Sequence, residues 1–231
     1  AAVKVALDRG MPPFTLLMAR FWLAVLCLLP LLWAQGRAAA ASECRRGIAT
    51  GTALLIGYAL QTFGMQQTTA SMGGFLSGLI TLLVAVGAFA VFGERLRWPT
   101  ILGLLLGSIG LVLLCAHGDG GDGDGEHGRV NSALGIGLQI GSSTSYAAHI
   151  LMLSRLSRKG REGAFCWWQL ATVAVGVTLL APLQGLGDTA RWAVDPVVWG
   201  NVAFLGVFAL AIGIAVQSRV QPQIPASQVA V

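Results

Sequence analysis

The run from Gly47 to Gly93 contains no Asp, Glu, Lys or Arg, and this gap of 47 residues limits the possible folds more than any other feature. A helix needs about 20 apolar residues to cross a bilayer. The run therefore predicts two crossings joined by a tight turn near residues 68–71. Further charge-free windows of 21 to 25 residues cover 98–118, 130–154, 163–187 and 196–218. Together they predict an all-α, polytopic membrane helix bundle.

The composition agrees with a membrane protein. The 231 residues are 55% hydrophobic and only 11% charged, with a mean hydropathy of +0.72, whereas soluble domains are about a quarter charged. This balance excludes most soluble enzymes and nucleic-acid binders. A further span runs from Pro12 to Trp33, interrupted only by Arg20. Since both chain ends read as parts of helices, we expect a partial first span, seven complete spans and the start of a ninth.

Basic residues predict the orientation. The connections after spans two, four, six and eight carry ten basic residues, and the alternate connections carry three, Arg9, Arg129 and Arg191. The ten are Arg37, Arg45, Arg46, Arg95, Arg97, Arg155, Arg158, Lys159, Arg161 and Arg219. By the positive-inside rule, the ten and the N-terminus are cytoplasmic. The net charge of +5 thus reflects orientation in the membrane. We expect the chain to lie in a lipid bilayer and to bind no nucleic acid.

An internal repeat predicts duplication. Residues 53–75 align without a gap on residues 209–231, and nine of the 23 pairs are identical, Gln61 and Gln217 among them. The copies lie five spans apart, so they enter the membrane from opposite sides, as in many secondary transporters. We predict a first repeat at 1–116, a flexible periplasmic linker at 117–129 and a second repeat at 130–231. The acidic, glycine-rich linker lacks the closing Glu of an EF-hand, and no metal is expected.

The run from Gly64 to Leu114 resembles an EamA-type transporter of the drug/metabolite transporter superfamily. The stretch LLMARFWLAVL around Arg20 is similar too, and Gly93, Glu94 and Arg95 are the most specific part. The resemblance implies ten helices in full length, about eight of them present here, in two inverted five-helix repeats around a central cavity. It also implies a bacterial inner-membrane protein that exports amino acids, metabolites or drugs by alternating access. No cofactor is expected, and a homodimer is possible.

The motif residues also have physical interpretations. Gly93 allows the helix of span four to end, and Arg95 faces the negative end of its dipole. Glu94 pairs with a nearby Arg to hold this turn, or acts in transport. Arg20 lies roughly 12 Å into span two at 1.5 Å per residue, where it is a structural anchor or a substrate contact.

Polar residues within spans are the candidates for a substrate pathway, because each is unfavourable in hydrocarbon unless it faces protein or water. Span six carries four such residues at helical spacing, and span three supplies two facing residues, with a symmetry mate in span eight. The set comprises Gln139, Ser143, Tyr146, His149, Tyr58, Gln61 and Gln217. Two interpretations are open: these residues line a cavity, or they form hydrogen bonds between helices. For His149, near the cytoplasmic end, the alternatives are a role in which it titrates and simple contact with solvent.

Two other classes of function compete with transport. An intramembrane protease would need a nucleophile and a base, and Ser77 with His149 is the only tempting pair, but the GxSG pattern is absent. A non-transporting scaffold would not need an inverted repeat. We therefore predict a transporter and no enzyme. No Asp or Glu lies within a complete span, which favours a facilitator, or an antiporter whose acid lies on helices outside this chain.

Overall fold

The computed structural model describes residues 9–93, scattered positions between 98 and 113, and residues 132–184 and 195–220. Throughout these residues the regular elements are helices, which confirms the all-α prediction. They are α1 (Pro13–Met65), α2 (Ala70–Phe92), α3 (Ala133–Leu156), α4 (Glu162–Leu180) with a following 3-10 turn (Ala181–Gln184), α5 (Pro196–Phe204), a π-helical segment (Leu205–Ile212) and α6 (Gly213–Val220).

Within the described parts of the chain, four helical stretches are long and apolar enough to cross a membrane. They are Pro13–Met65, Met72–Phe92, Glu162–Leu183 and Pro196–Val220. Helix α3 has 24 residues, a sufficient length, but is more polar. The predicted turn near residues 68–71 is confirmed, because α1 ends at Met65 and α2 begins at Ala70. The predicted first and ninth spans and the linker at 117–129 lie outside the described residues.

The connection predicted between spans two and three is wrong in its secondary structure. Residues 34–46 continue the helix, and α1 departs from helical geometry only at Gly36, with φ 79° and ψ 166°. The segment is rich in Ala and Arg, which have high helix propensity. Gly36 occupies backbone space that is almost restricted to glycine, so it is the one break between the two arms of α1.

The chain forms two units, and each has its own core. Unit 1 comprises residues 1–55 and 156–222, and unit 2 comprises 56–155 and 223–231. A cluster in unit 1 joins the start of α1 to α5 through Met11, Leu16, Val198 and Val202. Its counterpart in unit 2 joins α2 to α3 through Val84, Ala88 and Ala147. The predicted repeats stay a prediction.

Glycines allow close helix packing in unit 1. A Cβ at Gly47 would clash with Cβ of Trp168, and one at Gly51 would lie 2.8 Å from the carbonyl oxygen of Gln169. Real side chains do not approach so closely, so α1 contacts α4 through bare backbone. By contrast, a Cβ at Gly74 or Gly137 meets no atom within 4 Å. Spacing alone therefore did not identify which small residues lie at a contact.

Helix α2 ends where the sequence predicts. Gly93 has φ 65° and ψ 20°, and its N–H donates to the carbonyls of Ala88 and Phe89. This left-handed C-cap satisfies carbonyls that the helix end leaves unpaired. The other two residues of the predicted motif, Glu94 and Arg95, lie outside the described residues.

Replacing Gly93 with Ala should lower the free energy of unfolding by about 1 kcal/mol, because a Cβ is unfavourable in the left-handed region. Gly93→Asn should lose less, since Asn tolerates this conformation. Thermal unfolding of the purified protein in detergent measures both. Equal stability of the wild type and Gly93→Ala would contradict the role of this cap.

Candidate functional site

Polar side chains meet in unit 2 where the end of α1 and the start of α2 pack on α3. We call this group the polar seam and define it by Tyr58, Gln61, Gln139, Ser143 and Tyr146. The α3 members recur every three or four residues and so share one helix face. Gln139 and Ser143 are 1% and 2% exposed, and the two tyrosines and Gln61 are half-buried.

The centre of the polar seam is a hydrogen bond between two helices. The Tyr146 hydroxyl donates to Oε1 of Gln61 over 2.9 Å. The Tyr146 ring meets Tyr58 edge to face, with the centroids 5.4 Å apart. The structure thus brings Tyr58 and Gln61 of α1 against α3, as the sequence predicts. A Cβ at Gly57 would lie 2.9 Å from this ring, so Gly57 provides the space for Tyr146.

Gln139 lies against two glycines and keeps an unused donor. A Cβ at Gly64 would lie 3.0 Å from its Cγ, and one at Gly73 would lie 3.4 Å from its Nε2. Its Nε2 is buried without a hydrogen-bond partner in the described structure. Leaving such a group unpaired is unfavourable by about 1–3 kcal/mol. Sequence reasoning missed Gly57 and Gly64, although their seven-residue spacing places them on one face of α1.

Two serines hold the helices of unit 2 together. Ser143 donates to the carbonyl of Leu76 over 2.6 Å, and Ser142 donates to the carbonyl of Gly57 over 2.9 Å. Such bonds between membrane helices contribute about 0.6 kcal/mol each. For Ser143 this contact favours the role of an interhelical hydrogen bond. Ser142 was not predicted, and only its place in the run SSTS could have indicated it.

The remaining predicted residues are not among the five that define the polar seam. His149 is 4% exposed, so it is buried on α3 and not solvated. Arg20 is 9% exposed in unit 1, where its carbonyl lies 3.0 Å from the position of a Cβ on Gly206. Gln217 is on α6, also in unit 1. Ser77, the possible nucleophile, donates its hydroxyl to the carbonyl of Gly73 in its own helix.

A buried acid in unit 1 was missed because residues 34–46 read as a loop. The side chain of Glu43 is 0% exposed, with Oε1 3.5 Å from Arg46 and 4.0 Å from Arg161. Arg161 also donates to Oγ of Ser42 over 2.6 Å. Before the Gly36 break, Oε1 of Gln35 accepts the N–H of Ala164 over 2.8 Å. We call this group, Gln35, Ser42, Glu43, Arg46 and Arg161, the α1–α4 clamp, because it fixes both arms of α1 to the start of α4.

The residues of the described parts include no group of three or more His, Cys, Asp or Glu side chains that could hold a metal ion. The polar seam consists of amide, phenol and hydroxyl groups. It can therefore bind a molecule by hydrogen bonds and aromatic contacts, without a charged partner.

Comparison with known proteins identifies the family to which the chain is similar. Residues 1–116, half of the chain, match the model of the EamA-like transporter family. An uncharacterized transporter of Archaeoglobus fulgidus is 26% identical over 233 residues, which cover 99% of this chain and 67% of the relative. The uncharacterized transporter YvbV of Bacillus subtilis is 24% identical over 159 residues, which cover 68% of this chain and 48% of the relative.

A protein of known crystal structure has the same fold, with a TM-score of 0.76 and 19% identity over 98% of this chain and 78% of that chain. The family match, the relatives named as transporters and the apolar helices agree with one another. The chain belongs to the EamA-like transporter family and is a multi-pass membrane transporter.

Proposed function

We propose that this transporter exports small metabolites, amino acids or drugs across the bacterial inner membrane by alternating access, with its N-terminus in the cytoplasm. The excess of basic residues in alternate connections supports the orientation. The internal repeat supports alternating access, since inverted repeats rock around a site near the membrane midplane. The observation that carries a pathway through the polar seam is the hydrogen bond from Tyr146 to Gln61.

Packing alone does not account for this group of residues. Ser142 and Ser143 bond to backbone carbonyls and so join helices. Gln139, in contrast, buries an amide N–H that bonds to no described protein atom, and a residue that only joined helices would use it. We assign the substrate contacts to Gln139, Gln61 and the two tyrosines. The amides would bond the substrate, and the ring faces of Tyr58 and Tyr146 would contact its apolar part.

The first test is an export screen. Metabolites released by cells with and without the full-length protein are compared by mass spectrometry. For a compound that the wild type exports, Gln61→Leu and Tyr146→Phe should each reduce the export rate about tenfold. Each variant removes the hydrogen bond between Tyr146 and Gln61, and one hydrogen bond corresponds to about a tenfold effect.

Thr144→Val is the matched control, because Thr144 is an exposed residue of α3 whose hydroxyl donates to the carbonyl of Ile140 in the same helix. It should export at the wild-type rate. If Gln61→Leu and Tyr146→Phe also export at that rate, the assignment of the polar seam is wrong. If the wild type changes the release of no compound, the proposed export is wrong.

A further inference from the structure

Gln169 of α4 is a buried side chain in unit 1 with no bonding partner in the described structure. It is 0% exposed, and both Oε1 and Nε2 of its amide are buried without a hydrogen bond to any atom of the described residues. Gln139, by comparison, lacks a hydrogen-bond partner at only one amide atom, Nε2. The sequence gives no sign of this, because Gln169 is one polar residue in the run WWQL.

The backbone around Gln169 is tightly packed. A Cβ at Gly51 would lie 2.8 Å from its carbonyl oxygen and 3.0 Å from its Cα. Neighbouring groups of α4 are bonded, since Trp168 donates to the carbonyl of Ala40 and Thr172 donates to the carbonyl of Trp168. Among the described residues, the indole N–H of Trp167 is a further buried group of α4 without a partner. The backbone of α4 is thus closely packed at Gln169, while the amide of this residue is unused.

A buried amide that neither donates nor accepts a hydrogen bond has lost its water and gained nothing in return. This is more unfavourable still inside a membrane helix. Leu has a similar size and would bury apolar surface at the same position. A partner that bonds to the amide for part of the transport cycle would offset this cost.

The chemistry of the site limits that partner. A carboxamide presents one acceptor and one donor side by side, and the α4 residues on the same buried face, Leu170 and Val173, are apolar. A matching group is therefore neutral and carries a donor beside an acceptor, such as a carboxamide, a lactam or the amide edge of a nucleobase.

The backbone of unit 1 is irregular close to α4. The segment Leu205–Ile212 is π-helical, and such segments occur frequently at functional sites. The thiol of Cys166, three residues before Gln169, donates to the carbonyl of Ile214 just after this segment. Helix α4 is therefore packed against α6, directly after the irregular part of the last described span.

We propose that Gln169 is a substrate-binding residue that recognises a neutral group with a hydrogen-bond donor beside an acceptor. This assignment rests on the proposed export function and deepens it by naming the chemical class. It predicts that Gln169 affects the KM for compounds with such a group and affects the KM of N-methylated analogues less, because methylation removes the donor and leaves only the acceptor.

The test measures transport by the full-length protein in proteoliposomes, with nicotinamide and uracil as probes and their fully N-methylated forms as matched analogues. Gln169→Leu should raise the KM for a transported probe about tenfold with little change in kcat. Its midpoint of thermal unfolding should equal or exceed that of the wild type. Gln169→Asn, which keeps an amide, should recover part of the KM. Gln66→Leu is the control, since Gln66 is exposed in the turn after α1.

Three results would overturn this assignment without affecting the proposed function. The wild type could transport other compounds but neither probe, or it could transport a probe with the same KM as Gln169→Leu. The third result is a lower unfolding midpoint for Gln169→Leu, which would mean that the amide is bonded within the protein. A wild type that transports no compound at all would overturn the proposed function together with this assignment.

Discussion

Replacing Gly51 with Ala is expected to destabilise the protein by about 1–3 kcal/mol, the usual effect of overpacking a well-filled contact. The new Cβ would lie 2.8 Å from the carbonyl oxygen of Gln169 and 2.8 Å from Cβ of Thr172. Both atoms are fixed to the backbone of α4, so no side-chain rotation relieves the clash. Adding Gly47→Ala, whose Cβ would clash with Cβ of Trp168, should prevent the close packing of α1 on α4 altogether.

The matched control is Gly74→Ala in α2. Its Cβ meets no atom within 4 Å, and Ala in a helix interior is favoured over Gly by about 0.5–1 kcal/mol. This variant should therefore equal or exceed the wild type in stability. Thermal unfolding in detergent, followed by tryptophan fluorescence, compares the variants. Equal losses for Gly51→Ala and Gly74→Ala would contradict the helix contact that the structure describes.

The second large effect concerns the α1–α4 clamp, where removing the two arginines should destabilise the protein much more than removing Glu43. Glu43 is 0% exposed, whereas its partners Arg46 and Arg161 are 29% and 45% exposed. Replacing both arginines with Ala would leave a buried carboxylate without a positive partner. The expected loss is about 3 kcal/mol, the lower end for breaking a buried ion pair, because both arginines are partly solvated. Glu43→Leu should be near neutral, because it leaves two arginines that water can solvate.

Combining the changes makes this prediction sharper. Glu43→Leu should restore stability to the protein that lacks both arginines, because it removes the uncompensated charge. The free energy of unfolding of the four proteins, measured by denaturant or heat in the same detergent, gives the coupling. If Glu43→Leu is as damaging as the loss of both arginines, the carboxylate stabilises the clamp by itself and the asymmetry is wrong.

The sequence was sufficient for features that depend on hydrophobic length and local backbone chemistry. The charge-free run predicted the turn between α1 and α2, and Gly93 predicted the end of α2, because a helix end needs a residue that accepts positive φ. Helical spacing placed Gln139, Ser143 and Tyr146 on one face of α3. The polar residues of span three, Tyr58 and Gln61, were expected to face them.

Other features depend on how the helices pack, which the spacing of residues along the sequence does not determine. The spacing of Gly74 and Gly78 looks like that of Gly47 and Gly51, yet a Cβ at Gly74 would meet no atom within 4 Å, whereas one at Gly51 would lie 2.8 Å from atoms of α4. Charges near Gly36 indicated a loop, although the Ala-rich segment is helical and buries Glu43. Gln169 was missed for the same reason, because only the packed structure reveals that an amide has no partner.

The central claim, a substrate path through the polar seam, is tested most directly by efflux from proteoliposomes. The full-length wild type, Gln61→Leu, Tyr146→Phe and the double variant are loaded with a compound found in the export screen. Each single variant should release it about tenfold more slowly. The double variant should be no slower than either, because the two residues share one hydrogen bond. Equal efflux from all four proteins would contradict the claim.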